Sequence, residues 1–249
     1  MHLTSTPMSL KIQILKVIRS VLNPIGYDIV KYKLSYPPHI VLNHLKMNDI
    51  QTVLDVGANT GQYSQGLRKA GYKGRIISFE PVSIAYHDLK ERALRDKNWE
   101  TFNFALGESN GFSSIHISRH SPSSSILPMT SLHLDASPGS EYISDEKTEI
   151  KTLDSIYDSL GIRGENVFLK VDTQGYEKKV LSGALESLSS IRGIQLELSA
   201  KELYEGEEIY YSICRFVEER NFRLVRIIPG YAHKGTHEML QFDALFFRK

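Results

Sequence analysis

The chain has 249 residues, 41% hydrophobic and 24% charged, enough to bury a substantial core and typical of ordinary globular proteins. A formal net charge of +1 leaves no large field of either sign, which speaks against a nucleic-acid partner or an acidic tail and makes any charged chemistry local. One cysteine, Cys214, excludes an internal disulfide and a thiolate metal cluster and fits a reducing compartment; "YYSICRFVEER" around it reads as a core helix.

Residues 1–45 read as an N-terminal helical cap segment, set before a larger unit over residues 46–249. In "SLKIQILKVIRSVLNPIGYDIVKY", Leu10, Ile14, Val17, Ile18, Val21 and Leu22 recur near one helical face. Lys11, Lys16 and Arg19 lie elsewhere, and Asn23 and Pro24 end the helix. The apolar residues are interrupted too often for a secretory leader, and no run is long enough to cross a bilayer, so a soluble cytoplasmic protein is expected. Two roles for residues 10–22 stay open: a cap on the domain, or a surface that touches membrane or a lipid-linked substrate.

From Asp49 onward strands and helices alternate. "TVLDVGA" predicts a strand, "GQYSQGLRKAG" a helix stopped by Gly71, and "GRIISFEP" the next strand. "SIAYHDLKERALRD" predicts a helix with Ser83 at its N-cap, followed by a single strand over "ETFNFALGE". Later, "NVFLKVDTQ" and "GIQLELS" read as strands, each followed by a helix over "YEKKVLSGALESLSS" and "IYYSICRFVEERNF". "RLVRIIP" and "QFDALFFRK" close the chain as two strands with no helix between them. The pattern implies an α/β fold: a mostly parallel sheet wrapped on both faces, with an antiparallel C-terminal hairpin at one edge. Between the strand "SSIHISRH" and "TEIKTLDSI", residues 121–147 are rich in Ser and Pro and short of periodicity; with Arg119 and His120 they make a segment, 119–147, that is either an active-site lid or a disordered insertion.

The turn in "VLDVGANTGQYS" lies where open parallel sheets bind ligands, outside the carboxyl end of the first strand. Gly57 and Gly61 allow positive backbone φ and a close ligand approach that a Cβ would obstruct. The dinucleotide fingerprint would need Gly at 57, 59 and 62, where this chain has Gly57, Asn59 and Gln62; no Gly-Lys-Ser or Gly-Lys-Thr appears. A ligand without a pyrophosphate is expected. Glu80 ends the second strand, just before Pro81, where a carboxylate can accept hydrogen bonds from both ribose hydroxyls; Asp55 adds a carboxylate near the turn. A positively charged nucleoside fits such a site, and S-adenosylmethionine carries a sulfonium and an ammonium group.

"VLDVGANTGQYS", "ISFEP", "FALGES", "SSSIL", "KTLDSI", "FLKVDTQGYE", "LELS" with "LYEG", and "QFDALFF" occur in the order typical of the FkbM family of S-adenosylmethionine-dependent methyltransferases. The resemblance runs from about residue 50 to the end and rests on several motifs in register. It implies a class I, Rossmann-like methyltransferase fold and O-methylation, often of sugar hydroxyls on glycolipids, polysaccharides or secondary metabolites. It also implies a cofactor loop of Asp55, Gly57, Asn59, Gly61 and Tyr63, with Glu80 on the ribose beside Pro81, and Ala105 and Leu106 flanking the adenine. Ser124 and Ser125 would belong to a loop over the cofactor or acceptor, the alternative being a loop with no contact.

Lys170, Asp172, Gln174 and Glu177 crowd the carboxyl end of a central strand, where a buried charge is costly unless paired or coordinated. One reading is a structural ion pair of Lys170 with Glu197 or Asp172. The other is an acceptor site in which Asp172 and Glu197 orient or deprotonate a hydroxyl, or hold a divalent cation, with Lys170 setting the local charge. Asp243 serves either that site or the terminal strand pair. His233 and His237 match no family motif, and His237 is the reserve base. Other classes stay open. The missing glycines argue against a nicotinamide oxidoreductase, and intact cofactor motifs argue against a noncatalytic scaffold. "DTQGYE" in place of a Pro-Pro-aromatic turn argues against a nucleic-acid amino-methylase.

Overall fold

The structure is a computed structural model, and it describes residues 10–26 and 37–249. Two helices come first, α1 (Leu10–Leu22) and α2 (Pro37–Met47). There follow β1 (Thr52–Val56), α3 (Gln62–Ala70), β2 (Arg75–Phe79), α4 (Ser83–Ala93), β3 (Trp99–Phe102), β4 (Ala105–Leu106) and β5 (Gly111–Ser118). The middle of the chain holds α5 (Ser131–Ala136), β6 (Tyr142–Lys151), α6 (Leu153–Ile156), β7 (Val167–Val171) and α7 (Glu177–Ser182). The last elements are β8 (Ile191–Ser199), α8 (Tyr210–Glu218), β9 (Phe222–Pro229) and β10 (Gln241–Arg248).

Seven strands form the main sheet in the order β3-β2-β1-β7-β8-β10-β9. The first five run parallel, and β10 is antiparallel to both β8 and β9, so the expected class I architecture with its C-terminal hairpin is present. Strands β1 and β7 are buried at every residue, which is why their sequences are apolar runs rather than alternations. Successive residues feed opposite faces. Leu54, Ile77 and Leu169 pack in a core with Val180, Leu181, Ile213 and Val217, and half-buried Cys214 of α8 lies against it. Val53, Ile76 and Phe168 pack on the other face with Val41, Leu42 and Leu45 of α2, Leu67 of α3 and Leu89 of α4. Helix α3 ends as expected at Gly71, whose φ is 110°.

Several local expectations are corrected. "ETFNFALGE" is not one strand: β3 stays in the main sheet, while β4 joins β6 and β5 in a separate three-stranded sheet. The crease is Asn103, whose side-chain amide donates to the carbonyls of Glu80 (2.9 Å) and Pro81 (3.1 Å). The segment 119–147 is more ordered than its composition implies. It contains α5, capped by the Thr130 side chain, and β6 begins inside it at Tyr142. Most of β6 lies on the surface, so "YISDEKTE" carries no apolar alternation to announce it. Ser83 is the first residue of α4 rather than its N-cap; that position is Val82, and the Ser83 hydroxyl and N–H donate to Glu146. The helix expected over residues 176–190 stops at Ser182 and resumes only as a 3-10 turn, Ser187–Ser190.

At the N-terminus α1 has its expected bounds, followed by a 3-10 turn at Asn23–Ile25. Its apolar face is open to solvent: Ile14, Val17, Ile18 and Val21 are all exposed, Val17 and Val21 by about two thirds. The element that packs on the sheet is α2. Residues 1–9 and 27–36 of the expected N-terminal segment, with the side chains of Leu10 and Lys11, lie outside the described residues. No helix among the described residues is long and apolar enough to cross a membrane.

Candidate active site

The carboxyl ends of β2, β1, β7 and β8 face a cavity of about 160 Å³. Glu80, Pro81, Ala105 and Leu106 line it from the side of β2 and β4, and Asp172, Gln174 and Glu197 from the side of β7 and β8. Ser121, Ser124, Ser125 and Ile126 line it as well, so the serine segment is folded against the crevice. Its contacts are specific. The Ser121 hydroxyl accepts from the Asn59 side chain (2.9 Å), and the Ser125 hydroxyl donates to the Gln174 carbonyl (2.7 Å).

The turn after β1 is tied to β2. The N–H groups of Gly57 and Ala58 both donate to the Phe79 carbonyl (3.1 Å each), and the Asn59 N–H donates to Glu80 Oε2 (2.7 Å). Gly57 and Gly61 have φ of 73° and 87°, as expected, but the reason for glycine is corrected. A Cβ at 57 would collide with the backbone carbonyl of Asp172, and one at 61 would stand 2.9 Å from Leu89 and Trp99. Protein, not ligand, occupies that space.

Glu80 is buried, and its second oxygen accepts from the Val82 N–H (2.9 Å). Burial raises its pKa to about 7 against the opposing pull of those two N–H groups and of Lys170. A carboxylate has about four lone-pair sites, so two remain for a pair of hydroxyls. Phe79, Val82, Ala105, Leu106 and Ile115 give this side of the cavity an apolar lining.

Asp55, Tyr63 and Lys170 lie beneath the cavity rather than in its lining. Parallel pairing of β1 with β7 sets Asp55 level with Lys170. Lys170 Nζ stands 3.2 Å from an oxygen of Asp55 and 3.2 Å from one of Asp172, with the Tyr63 ring centroid 5.2 Å away. Burial disfavours its charge, yet the two carboxylates outweigh burial and hold its pKa above the ordinary value. The other Asp55 oxygen accepts from the Ser64 hydroxyl (2.7 Å), and the Tyr63 hydroxyl donates to Gln195 (2.9 Å). Of the two partners anticipated for Lys170, Asp172 is present; Asp55 is an unanticipated one.

Asp172 and Glu197 are brought together by one side-chain amide. Gln174 Nε2 donates to Asp172 Oδ1 (2.9 Å) and to Glu197 Oε2 (2.5 Å). Burial works to raise the Asp172 pKa, but Lys170 and the bond from Gln174 outweigh it and hold the group below the usual carboxylate range. Burial, then the charges of Asp172 and Asp243, push Glu197 well above that range. The two carboxyls are thus driven in opposite directions, Asp172 toward its ionised form and Glu197 toward its protonated one. Asp243, opposite Glu197 in the β8–β10 register, accepts from Gln195 (2.9 Å). Among the described residues no group of three or more His, Cys, Asp or Glu side chains is placed to hold a metal ion.

His237 is not brought to this site. It is exposed, at φ 60°, in the turn where His233 contacts Asp135 (3.0 Å). Residues without an assigned role in the sequence do reach the cavity: Ser121, Thr173, Gln174 and Tyr176 line it, and Tyr204 lies fully buried behind Gln174. The quoted "TQGYE" and "LYEG" contain four of these residues, but nothing in their spacing says what they touch.

The sequence profile described as "Methyltransferase FkbM domain" matches residues 55–224, about two thirds of the chain. The chain belongs to the FkbM methyltransferase family. This family member is therefore a methyltransferase. It is 26% identical over 161 residues to the "2-O-methyltransferase NoeI" of Sinorhizobium fredii (strain NBRC 101917 / NGR234), covering 62% of this chain and 66% of that protein. Among solved structures it is similar to the O-methyltransferase from Bacillus cereus in complex with SAH (TM-score 0.48, 11% identity, 97% of this chain and 92% of that one). Another is the magnesium protoporphyrin IX methyltransferase of Synechocystis PCC 6803 with bound SAM (TM-score 0.45, 12% identity, 99% and 100%).

Proposed function

We propose that the cavity holds S-adenosylmethionine and that the protein methylates a hydroxyl, that of a sugar on a glycolipid, polysaccharide or secondary metabolite, in the cytoplasm. The observation that carries this reading is the arrangement of the carboxylates. Buried Glu80 lines one side of the cavity with acceptor capacity to spare, and the Asp172–Glu197 pair lines the other. The residues suit the cofactor: Glu80 would take the ribose hydroxyls, with Ala105 and Leu106 against the adenine and Asn59, Pro81 and Ser125 closing around them. Asp55, Gly57, Gly61 and Tyr63 would support the loop from below. When bound, the cofactor supplies an electrophilic methyl on a sulfonium.

The chain's own task is to deliver an oxygen in line with that methyl, and positioning supplies much of the acceleration. A hydroxyl is a weak nucleophile while it keeps its proton. Asp172, held by Lys170 and Gln174, would take that proton; a base so placed commonly contributes about 10² to 10⁴ in rate. Glu197, pushed toward its protonated form and hydrogen-bonded to Asp172, stands beside it at the cavity. Similarity to NoeI, a 2-O-methyltransferase, supports oxygen as the acceptor atom. The test is incubation with labelled S-adenosylmethionine and a panel of glycosylated lipids, saccharides and small alcohols, locating the methyl by mass shift. Label only on non-hydroxyl acceptors overturns the reading.

The exposed face of α1 favours a further element, peripheral contact with a membrane that carries a lipid-linked acceptor. Ile14, Val17, Ile18 and Val21 point to solvent, and residues 1–27 contain Lys11, Lys16 and Arg19 but no Asp or Glu.

A further inference from the structure

Gln174 joins the serine segment to the Asp172–Glu197 pair. It occupies the turn after β7 at φ 54°, a left-handed conformation that costs a non-glycine residue free energy and persists only where its surroundings enforce it. The enforcing contact on its backbone comes from the serine segment, through the 2.7 Å bond from Ser125 Oγ to the Gln174 carbonyl. Its side chain is fully used. The amide nitrogen has two hydrogens, one for Asp172 and one for Glu197, and the amide oxygen accepts from the Tyr204 hydroxyl (2.8 Å).

The two carboxylates set which way that amide points, and Tyr204 braces its oxygen end. Were the amide reversed, its oxygen would face two carboxylate oxygens and its nitrogen the tyrosine hydroxyl. Tyr204 also belongs to the serine segment's attachments. Its hydroxyl lies 3.3 Å from the Ser123 carbonyl, and Thr130 N–H bonds the Leu203 carbonyl (2.9 Å). Glu205 N–H bonds the Pro128 carbonyl (2.8 Å), so the segment is stitched to residues 203–205 along its length. Lifting the serines off the cavity breaks the bond that holds the Gln174 backbone and loosens the hydroxyl that braces its amide.

We propose that Gln174 is a positioning residue that aligns Asp172 and Glu197 only while residues 121–126 are closed over the cavity. Closure over the ligand and assembly of the proton acceptor are then one event, which keeps the base out of register when the cavity is open to water. This rests on the reading of Asp172 as the base for its value to catalysis, but not for the coupling itself.

The test needs no acceptor. Carboxyl carbons of Asp172 and Glu197 are titrated by ¹³C NMR in the full-length protein saturated with S-adenosylhomocysteine. Asp172 faces Lys170 on its own strand, Glu197 on β8, and at longer range Asp55 on β1, Asp243 on β10 and Glu177 on α7; none of these is altered by the variants. Gln174→Gly removes the amide and tolerates the positive φ, and the Asp172 midpoint should rise by at least one pH unit. Ser125→Ala and Tyr204→Phe leave Gln174 in place, and each should raise it by half a unit or more. Ser125→Ala added to Gln174→Gly should move it no further. Unchanged midpoints in Ser125→Ala and Tyr204→Phe, or full additivity in the double variant, overturn the coupling, even should Gln174→Gly fail to fold. Normal turnover in Asp172→Asn would instead remove the catalytic reading and leave the coupling standing.

Discussion

The Asn59 N–H donates across 2.7 Å to the Glu80 carboxylate, joining the turn after β1 to the end of β2. Glu80 therefore has two tasks, shaping the turn and receiving hydroxyls. Glu80→Ala should lose bonds worth roughly 1.5 to 3 kcal/mol each where the acceptor is charged. Affinity for S-adenosylhomocysteine, measured by calorimetric titration, should fall at least about tenfold, with NAD binding neither protein. Equal affinity in the variant would take Glu80 out of the site.

Asp172→Asn is nearly isosteric and can still meet Gln174, while it can no longer accept a proton. Turnover should fall about a hundredfold or more, with cofactor affinity within a few fold. His237→Ala, altering an exposed turn, should keep its turnover. A normal Asp172→Asn beside a dead His237→Ala would transfer the role of base to the histidine. Chelator should leave the rate unchanged, and loss of activity restored by added magnesium would mean that Asp172 acts through a cation.

Glu177 makes stability depend on pH in an uncommon direction. It is buried, it accepts from the Thr173 N–H (2.7 Å), and burial raises its pKa from 4.5 to about 7. Between those values the folded protein binds more protons at this site than the unfolded chain, so stability falls as pH rises through the window and levels off above about 7. Glu177→Gln keeps an oxygen for Thr173 and cannot ionise. Its melting temperature should gain on that of the parent protein between pH 5 and pH 8; a constant difference would mean that Glu177 titrates normally.

For α1, Val17→Asp and Val21→Asp change residues that are about two thirds exposed, so thermal stability should hold within about 0.5 kcal/mol. Co-sedimentation with vesicles containing anionic lipid should be lost in the double variant and weakened by salt in the parent protein. Equal binding by both would assign the contact to another surface.

What could be read from the sequence was whatever one residue type reports alone. Val53, Leu54, Val167 and Leu169 announce buried parallel strands, and Glu80 before Pro81 marks a strand end at the crevice, because strand order and ligand side follow from the alternation of elements. Partnerships across strands were not readable. Asp55 meets Lys170 because β1 lies beside β7 in one register, and no spacing between positions 55 and 170 encodes that. Gln174 is similar, its contacts reaching Ser125, Glu197 and Tyr204 on three separate segments. The break between β3 and β4, and the β6 strand, were missed for another reason: a two-residue strand and an exposed one carry no hydrophobic period.

The crease at Asn103 makes the cavity a joint between two sheets rather than a cleft in one. Glu80 belongs to the end of the larger sheet, whereas Ala105, Leu106 and Ile115 ride on the smaller one. The carboxylate end of the cavity and its apolar end are therefore held by two separate hydrogen-bonded ladders, and Asn103 is the residue that ties one to the other.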